Sequence, residues 1–575
     1  MESIEKFKQH FTVLYGEDAV EECLERLQQL TEAYESDIRA RDGSWGEWSE
    51  EDSILITYGD VLQDINRPKM CRLALLEEFL EQHVGRSITS LHLLPFFPSS
   101  SDGGFAVIDY KKVREDLGDW SHIQSLAEQY RLMADLVINH TSWYNEWFQN
   151  FKEGKEPGKD YFIEVDPTLD LSEVVRPRSS ALLTPVQTST GNTCVWTTFS
   201  EDQVDMDFSN PEVLFEFIDI FLFYLSKGIQ VVRLDAIAYL WKELGTNCIH
   251  LPETHEVVKL FRTLVEEIAP HVTLVTETNV PHKENISYFG EGDEAHMVYQ
   301  FSLPPLLLHA ILTGNSEYLT EWADGLKEMR KGCYYLNFTA SHDGIGVRPL
   351  EGLVPEDEFN YMLEAVHKRE GFVSYKTNRD GSKSPYELNI TYFDAFSDLD
   401  SENDDIQVAR YLCSQAIMLA FKGIPGIYFH NLTATRNNVS EAISTGHKRA
   451  INRKQWDYDD LIESLQDETT NTHRVMKRYK EMLRIRGDHP AFHPDAPQQI
   501  FDCGNDLFVL KRTSLDGNDA ILSVSNITGN RLELNCRDLP LPDRGNTCTD
   551  LLSDRHRCDN GTLVLEPYEP LWLEI

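Results

Sequence analysis

Four apolar, β-rich runs in this chain each end in ionisable side chains, and that recurrence limits the available folds more than any other feature. Gly228 to Tyr239 reads GIQVVRLDAIAY, where Ile229, Val231 and Val232 form the β-branched run expected of a strand buried on both faces. Arg233 and Asp235 stand at alternate positions at its carboxyl end and so share one side of the strand. On one strand this would be an ion pair closing a strand. The pattern recurs in RLMADLVINH (131–140, ending in Asn139 and His140), HVTLVTETN (271–279, carrying Glu277) and YYLNFTASHD (334–343, ending in His342 and Asp343). Three carboxylates, one Arg and two His at the carboxyl ends of four separated strands, in chain order, predict a (β/α)8 barrel, where active-site groups collect on that face.

With these residues the chain resembles the α-amylase superfamily, glycoside hydrolase family thirteen, whose four short signatures match DLVINH, GIQVVRLDAI, TETN and ASHD. Within it the chain is similar to the sucrose phosphorylase subfamily. The further stretches that carry this are LLPFFPSSSDGGFAVIDY (93–110), VVRPRSSALLTP, VWTTFSEDQVDMDF, YQFSLPPLLLHAI, SHDGIGVRPLEGL, SPYELNITYFDA and KRAINRKQW. The resemblance covers most of the chain.

A barrel of this type takes roughly 250 residues, so 575 residues leave room for additions. The expected division is an N-terminal helix and first barrel part (1–140), an inserted domain B (141–208), barrel (209–343), a second insertion B′ (344–398), the end of the barrel (399–488) and a C-terminal antiparallel β domain (489–575). Expected barrel strands are 54–58, 88–95, the four runs above, 297–303 and 423–430. Tail strands are expected at 506–510, 520–524, 531–535 and 562–573. A net charge of −42 argues against nucleic acid and anionic membrane surfaces as partners. The start MESIEKFKQHF has no apolar core of a signal peptide, and no run reaches the ~18 apolar residues of a membrane span. The 10 cysteines show no C-x-x-C pair, although Cys503, Cys536, Cys548 and Cys558 crowd the tail. Free thiols and a cytoplasmic enzyme, monomer or homodimer, are expected.

Cleaving a glycosidic bond normally uses two carboxyl groups, one ionised and one protonated. Asp235 suits the nucleophile, because Arg233 two residues away favours its charged form. Glu277, near other carboxylates and partly desolvated, suits the general acid with a raised pKa. The resemblance implies that Asp343 stabilises the transition state beside His342, and that Asp102, His140 and Arg453 bind the glucosyl unit. It also implies that Phe199, Gln203, Tyr386 and Glu387 surround the acceptor, and Tyr239, soon after Asp235, is a further candidate for binding substrate. The intermediate implied is a covalent β-glucosyl enzyme, released by phosphate as α-glucose 1-phosphate. Arg176 and Arg178, together with a basic concentration at His367, Lys368, Arg369, Lys376, Arg379 and Lys383, are the candidate phosphate donors.

In many amylases the Asn beside the His of the first signature helps bind calcium. Asn139 is present, but the subfamily does not depend on the ion, so neither metal nor cofactor is expected. The partners expected are a small α-glucoside and inorganic phosphate. Thr278 and Asn279 stand where sucrose phosphorylases typically have Val-His, and Glu387 where they have Gln. These departures make the chain closest in look to glucosylglycerate and glucosylglycerol phosphorylases. Arg348 is then a candidate for a glycerate carboxylate, and Glu387 for glycerol hydroxyls. The alternatives are a sucrose or sucrose 6′-phosphate phosphorylase, or a hydrolase or transglucosidase on the same barrel. A non-catalytic binding protein would have lost the carboxylates that are all present here.

Overall fold

The computed structural model describes residues 2–41, 45–378, 380–399, 404–541, 548–559 and 561–575. Eight parallel strands close into a barrel: β1 (Ile54–Thr57), β2 (Ser90–Leu93), β3 (Arg131–Val137), β4 (Ile229–Asp235), β5 (Thr273–Thr276), β6 (Met297–Tyr299), β7 (Tyr334–Phe338) and β8 (Ile424–Tyr428). Closure is made by β1, which pairs with β2 through Ile54–Ser90 and with β8 through Ile54–Gly426. Every residue of these strands is buried, which is why apolar side chains dominate both of their faces.

Alternation within the strands sorts the barrel interior into layers. Ile54, Met133, Val231, Val275, Met297, Leu336 and Ile424 pack together as an apolar plug. Two residues further along β3 and β4 the same interior face carries Asp135 and Arg233, which are register partners. Two further along β4 and β5 it carries Asp235 and Glu277. The plug below and the charged layers above follow from one period-two pattern.

Two strand ends and the leading helix differ from expectation. β6 stops at Tyr299, because Pro304 and Pro305 open the helix Leu303–Thr313, and proline suits the first turn of a helix but removes a ladder donor. β8 stops at Tyr428, and His430 lies in a helical turn, Phe429–Leu432. The single leading helix is two, α1 (Glu2–Tyr15) and α2 (Val20–Arg39), with Gly16 between them at φ 82°. α1 packs on the helix Pro252–Ile268 and α2 on Pro211–Ser226.

Between β3 and β4 lie the helix Glu146–Glu153 and the hairpin Leu183–Thr188/Gly191–Trp196. After β7 come the helix Glu356–Lys368 and a small sheet in which Lys383–Asn389 pairs with both Ile345–Gly346 and Phe372–Thr377. The tail holds a six-stranded antiparallel sheet and a three-stranded one. The strand expected over 562–573 is two, Thr562–Leu565 in the small sheet and Pro570–Glu574 in the large one, with a turn between them where Tyr568 has φ 56°. Arg512 and Arg486, both fully buried, join the tail to the barrel through backbone carbonyls. Arg512 donates to Ala420 and Ala496, and Arg486 to Gly423 and to Phe492 of the tail. Among the described residues no helix is long and apolar enough to cross a membrane.

Candidate active site

At the carboxyl end of the barrel a cavity of about 610 Å3, counted to its mouth, is lined by Asp102, His140, Arg178, Phe199, Gln203, Asp235, Tyr239, Glu277, Thr278, Asn279, His342, Asp343, Tyr386 and Arg449, among others. Arg233 lies under its floor. One terminal nitrogen donates to Asp135, and the same nitrogen to Asp235 at 2.6 Å; the other stands 3.9 Å from Glu277. Asp135 is held from its far side by His92 at 2.9 Å. The backbone N–H of Ala236, a left-handed residue just after β4, donates to Glu277 at 3.2 Å.

Burial pushes the carboxyl of Asp235 well up, and the Glu277 and Asp135 charges add to this against Arg233. Burial also raises Glu277, with Asp343 pushing the same way. Two such carboxyls cannot both ionise cheaply, so the pair retains a proton. Arg233 bonds Asp235 directly and stands 3.9 Å from Glu277, so its charge favours the ionised form of Asp235 more than that of Glu277. Asp343 behaves oppositely: burial is overcome by Arg449, His342 and Arg453, which hold it ionised far below the usual range. Asp102 is kept low in the same way by Arg449, Arg453 and Arg178, against its burial. Burial pushes His342 down to about 3 and lowers His140, so both rings are neutral at ordinary pH.

The surrounding contacts fix these groups. His342 stacks on Phe105 at 4.8 Å, and His140 reaches the Phe105 carbonyl at 3.0 Å and Gln203 at 3.0 Å. Phe199 packs on His140 and on Tyr239. Arg453 donates to the His342 carbonyl at 2.8 Å and stands 3.8 Å from Asp102. Gly103, at φ +62°, gives it room: a Cβ there would lie 2.5 Å from Nη1 of Arg453.

Other predicted residues fall elsewhere. Arg176 turns to the Ser180 carbonyl, and only Arg178 of that pair reaches the cavity. Arg348 faces Glu284 at 3.8 Å and is not on the cavity wall. Glu387 is also behind the wall: neighbours on a strand point to opposite faces, so Tyr386 lines the cavity and Glu387 bonds Arg449. The basic insertion is spent locally, Lys376 on Glu351 and Arg369 on the Ala365 and Ser397 carbonyls; Arg379 lies outside the described residues. Asn139 and Asp205 accept from the Lys242 ammonium at 2.8 and 2.7 Å.

Arg449 is the main residue the sequence reading missed. It contacts Asp343 through Nη1, which also stands 3.6 Å from Asp102, and Glu387 through Nε at 3.0 Å. Its signal was the spacing of four from Arg453 across the short helix Lys448–Asn452.

Residues 82–344 match the family model for the α-amylase catalytic domain. Over its full length the chain is 42% identical to the glucosylglycerate phosphorylase of Spirochaeta thermophila, covering 99% of it. It is 40% identical to that of Escherichia coli K12, over 99% of this chain and 100% of the other. The chain belongs to the α-amylase family. Within that family it is a glucoside phosphorylase of the sucrose phosphorylase-like group. Among solved structures, sucrose 6F-phosphate phosphorylase from Thermoanaerobacter thermosaccharolyticum superposes with a TM-score of 0.72 at 25% identity, covering 84% of this chain and 96% of that one. In (β/α)8 barrels active sites lie at the carboxyl ends of the strands, the end at which Asp235 and Glu277 lie here.

Proposed function

We propose that this phosphorylase moves a glucosyl unit reversibly between an α-glucosylglycerate and phosphate, giving α-D-glucose 1-phosphate and glycerate. Asp235 attacks the anomeric carbon while Glu277 hands its proton to the departing glycerate oxygen. The resulting β-glucosyl enzyme is opened by a phosphate oxygen, which returns a proton to Glu277 and retains the α configuration. Asp343 stays ionised beside the sugar, and with Asp102, His140, His342 and Arg453 it holds the glucosyl hydroxyls.

The observation that carries the acceptor is the pair Arg178 and Arg449 on the cavity wall of a chain with net charge −42. Phosphate needs such donors whatever the acceptor, and of glycerate, glycerol and fructose only glycerate has a carboxylate that would use them in turn. The names of the relatives at 40–42% identity support the same acceptor. The test is to supply α-glucose 1-phosphate with D-glycerate, glycerol or fructose and measure phosphate release. Fast release with glycerate alone supports the reading. Release with another acceptor, or slow release matched by free glucose, defeats it.

A further inference from the structure

Glu387 carries a buried carboxylate that the reaction does not use, set among the cations of the acceptor end. It sits on the strand Lys383–Asn389, flanked by Gly346 on one neighbour and Ser374 on the other, so its position is fixed from both sides. Its side chain is 2% exposed. Oε1 accepts from the Gly344 N–H and from Nε of Arg449 at 3.0 Å; Oε2 accepts from Nη2 of Arg449 at 3.3 Å and faces Nη1 of Arg178 at 3.5 Å. Gly344 follows Asp343 directly, and a Cβ there would lie 2.5 Å from Cγ of Glu387. One carboxylate thus ties together the two cavity arginines and the loop that carries Asp343.

The guanidinium of Arg449 is divided by this arrangement. Its Nε/Nη2 edge is held by Glu387 in a two-point grip, and Nη1 meets Asp343. Arg178 is less confined: a quarter exposed, it lies 5.7 Å from the centre of the Tyr386 ring. A planar guanidinium gripped along one edge keeps its orientation, which is what recognition of a planar carboxylate or a phosphate face requires.

We infer that Glu387 is a positioning residue for specificity: it orients Arg449 and Arg178 as one anion cradle that serves phosphate and the acceptor carboxylate in turn. The inference rests on the glucosylglycerate reading for the carboxylate but not for phosphate. The test compares wild type, Glu387→Gln and Glu387→Asp in two assays. The first supplies α-glucosyl fluoride as donor and varies inorganic phosphate; fluoride leaves, and α-glucose 1-phosphate forms. Losing the charge-assisted grip raises the KM for phosphate by about tenfold or more in Glu387→Gln, with kcat changing far less. Glu387→Asp, which keeps the charge on a shorter stem, falls between the two. The second assay reads the preference for D-glycerate over glycerol with α-glucose 1-phosphate, and this ratio drops by a similar factor in Glu387→Gln. A phosphate KM within about threefold of wild type in a variant that turns over the fluoride would overturn the inference, as would a lower KM. If Glu387→Gln does not fold, the same two numbers are read on Glu387→Asp alone. A wild type that ignores glycerate yet shows the phosphate effect would defeat the acceptor reading while leaving the cradle standing.

Discussion

Replacing Arg233 by Met removes the one cation among the described residues that bonds Asp235 directly, and takes the same charge away from Asp135 and Glu277. A unit charge pair about 4 Å apart at an effective dielectric near 20 is worth about 4 kcal/mol. That is about three powers of ten in the ionisation equilibrium at about 1.4 kcal/mol each, so Asp235 is pushed further up and kcat/KM at neutral pH falls by at most about a thousandfold. Breaking a buried pair also costs about 3–5 kcal/mol of stability. The sign with pH follows from the raised carboxyls: the folded state then holds protons that the unfolded chain releases, so the stability deficit grows as pH rises. The assay is a pH profile of kcat/KM with α-glucosyl fluoride, whose leaving group needs little acid, so that its acidic limb reports the nucleophile. That limb should move to higher pH in Arg233→Met. A loss below tenfold with an unmoved limb would refute the idea that Arg233 keeps Asp235 ionised.

Glu277→Gln should slow phosphorolysis of an α-glucoside by about 10²–10⁴-fold while sparing the first step with α-glucosyl fluoride; equal losses on both would remove it as the acid. In wild type the glucoside activity should fall as pH rises through the raised pKa of Glu277, and no titration of His342 should appear near neutrality, since burial pushes it down to about 3. Gly103→Ala forces a Cβ against Arg453 at a positive φ and should raise the KM for α-glucose 1-phosphate about tenfold, measurable by initial rates. Arg512→Met leaves buried carbonyls unpaired at about 1–3 kcal/mol each and should lower the melting temperature with kcat unchanged, because Arg512 is remote from the cavity.

The barrel was legible because strands buried on both faces are mostly apolar, and the charges of Arg233, Asp235 and Glu277 gather toward the carboxyl ends of β4 and β5. Strand ends were less so: Pro304 reads as a strand breaker only once the helix after β6 is seen, and the turn at Tyr568 hides in a run of β-formers. Asp235, Glu277 and Asp343 announced themselves because each ends or follows an apolar run. Arg449 did not, since KRAINRKQW resembles a solvated basic face and only the closed barrel brings it over Asp343. The placement of Glu387 was available from strand alternation once Tyr386 was assigned to the wall. Arg176 and Arg178 share that parity, and nothing local in VVRPRS says which one turns inward.

The most direct test of the chemistry is to trap the intermediate. Glu277→Gln given α-glucosyl fluoride without phosphate, then quenched, digested and weighed, should yield a peptide containing Asp235 that is heavier by one glucosyl unit, and added phosphate should discharge it as α-glucose 1-phosphate. Label on any other carboxylate, or product formation with Asp235 never modified, would contradict double displacement through Asp235.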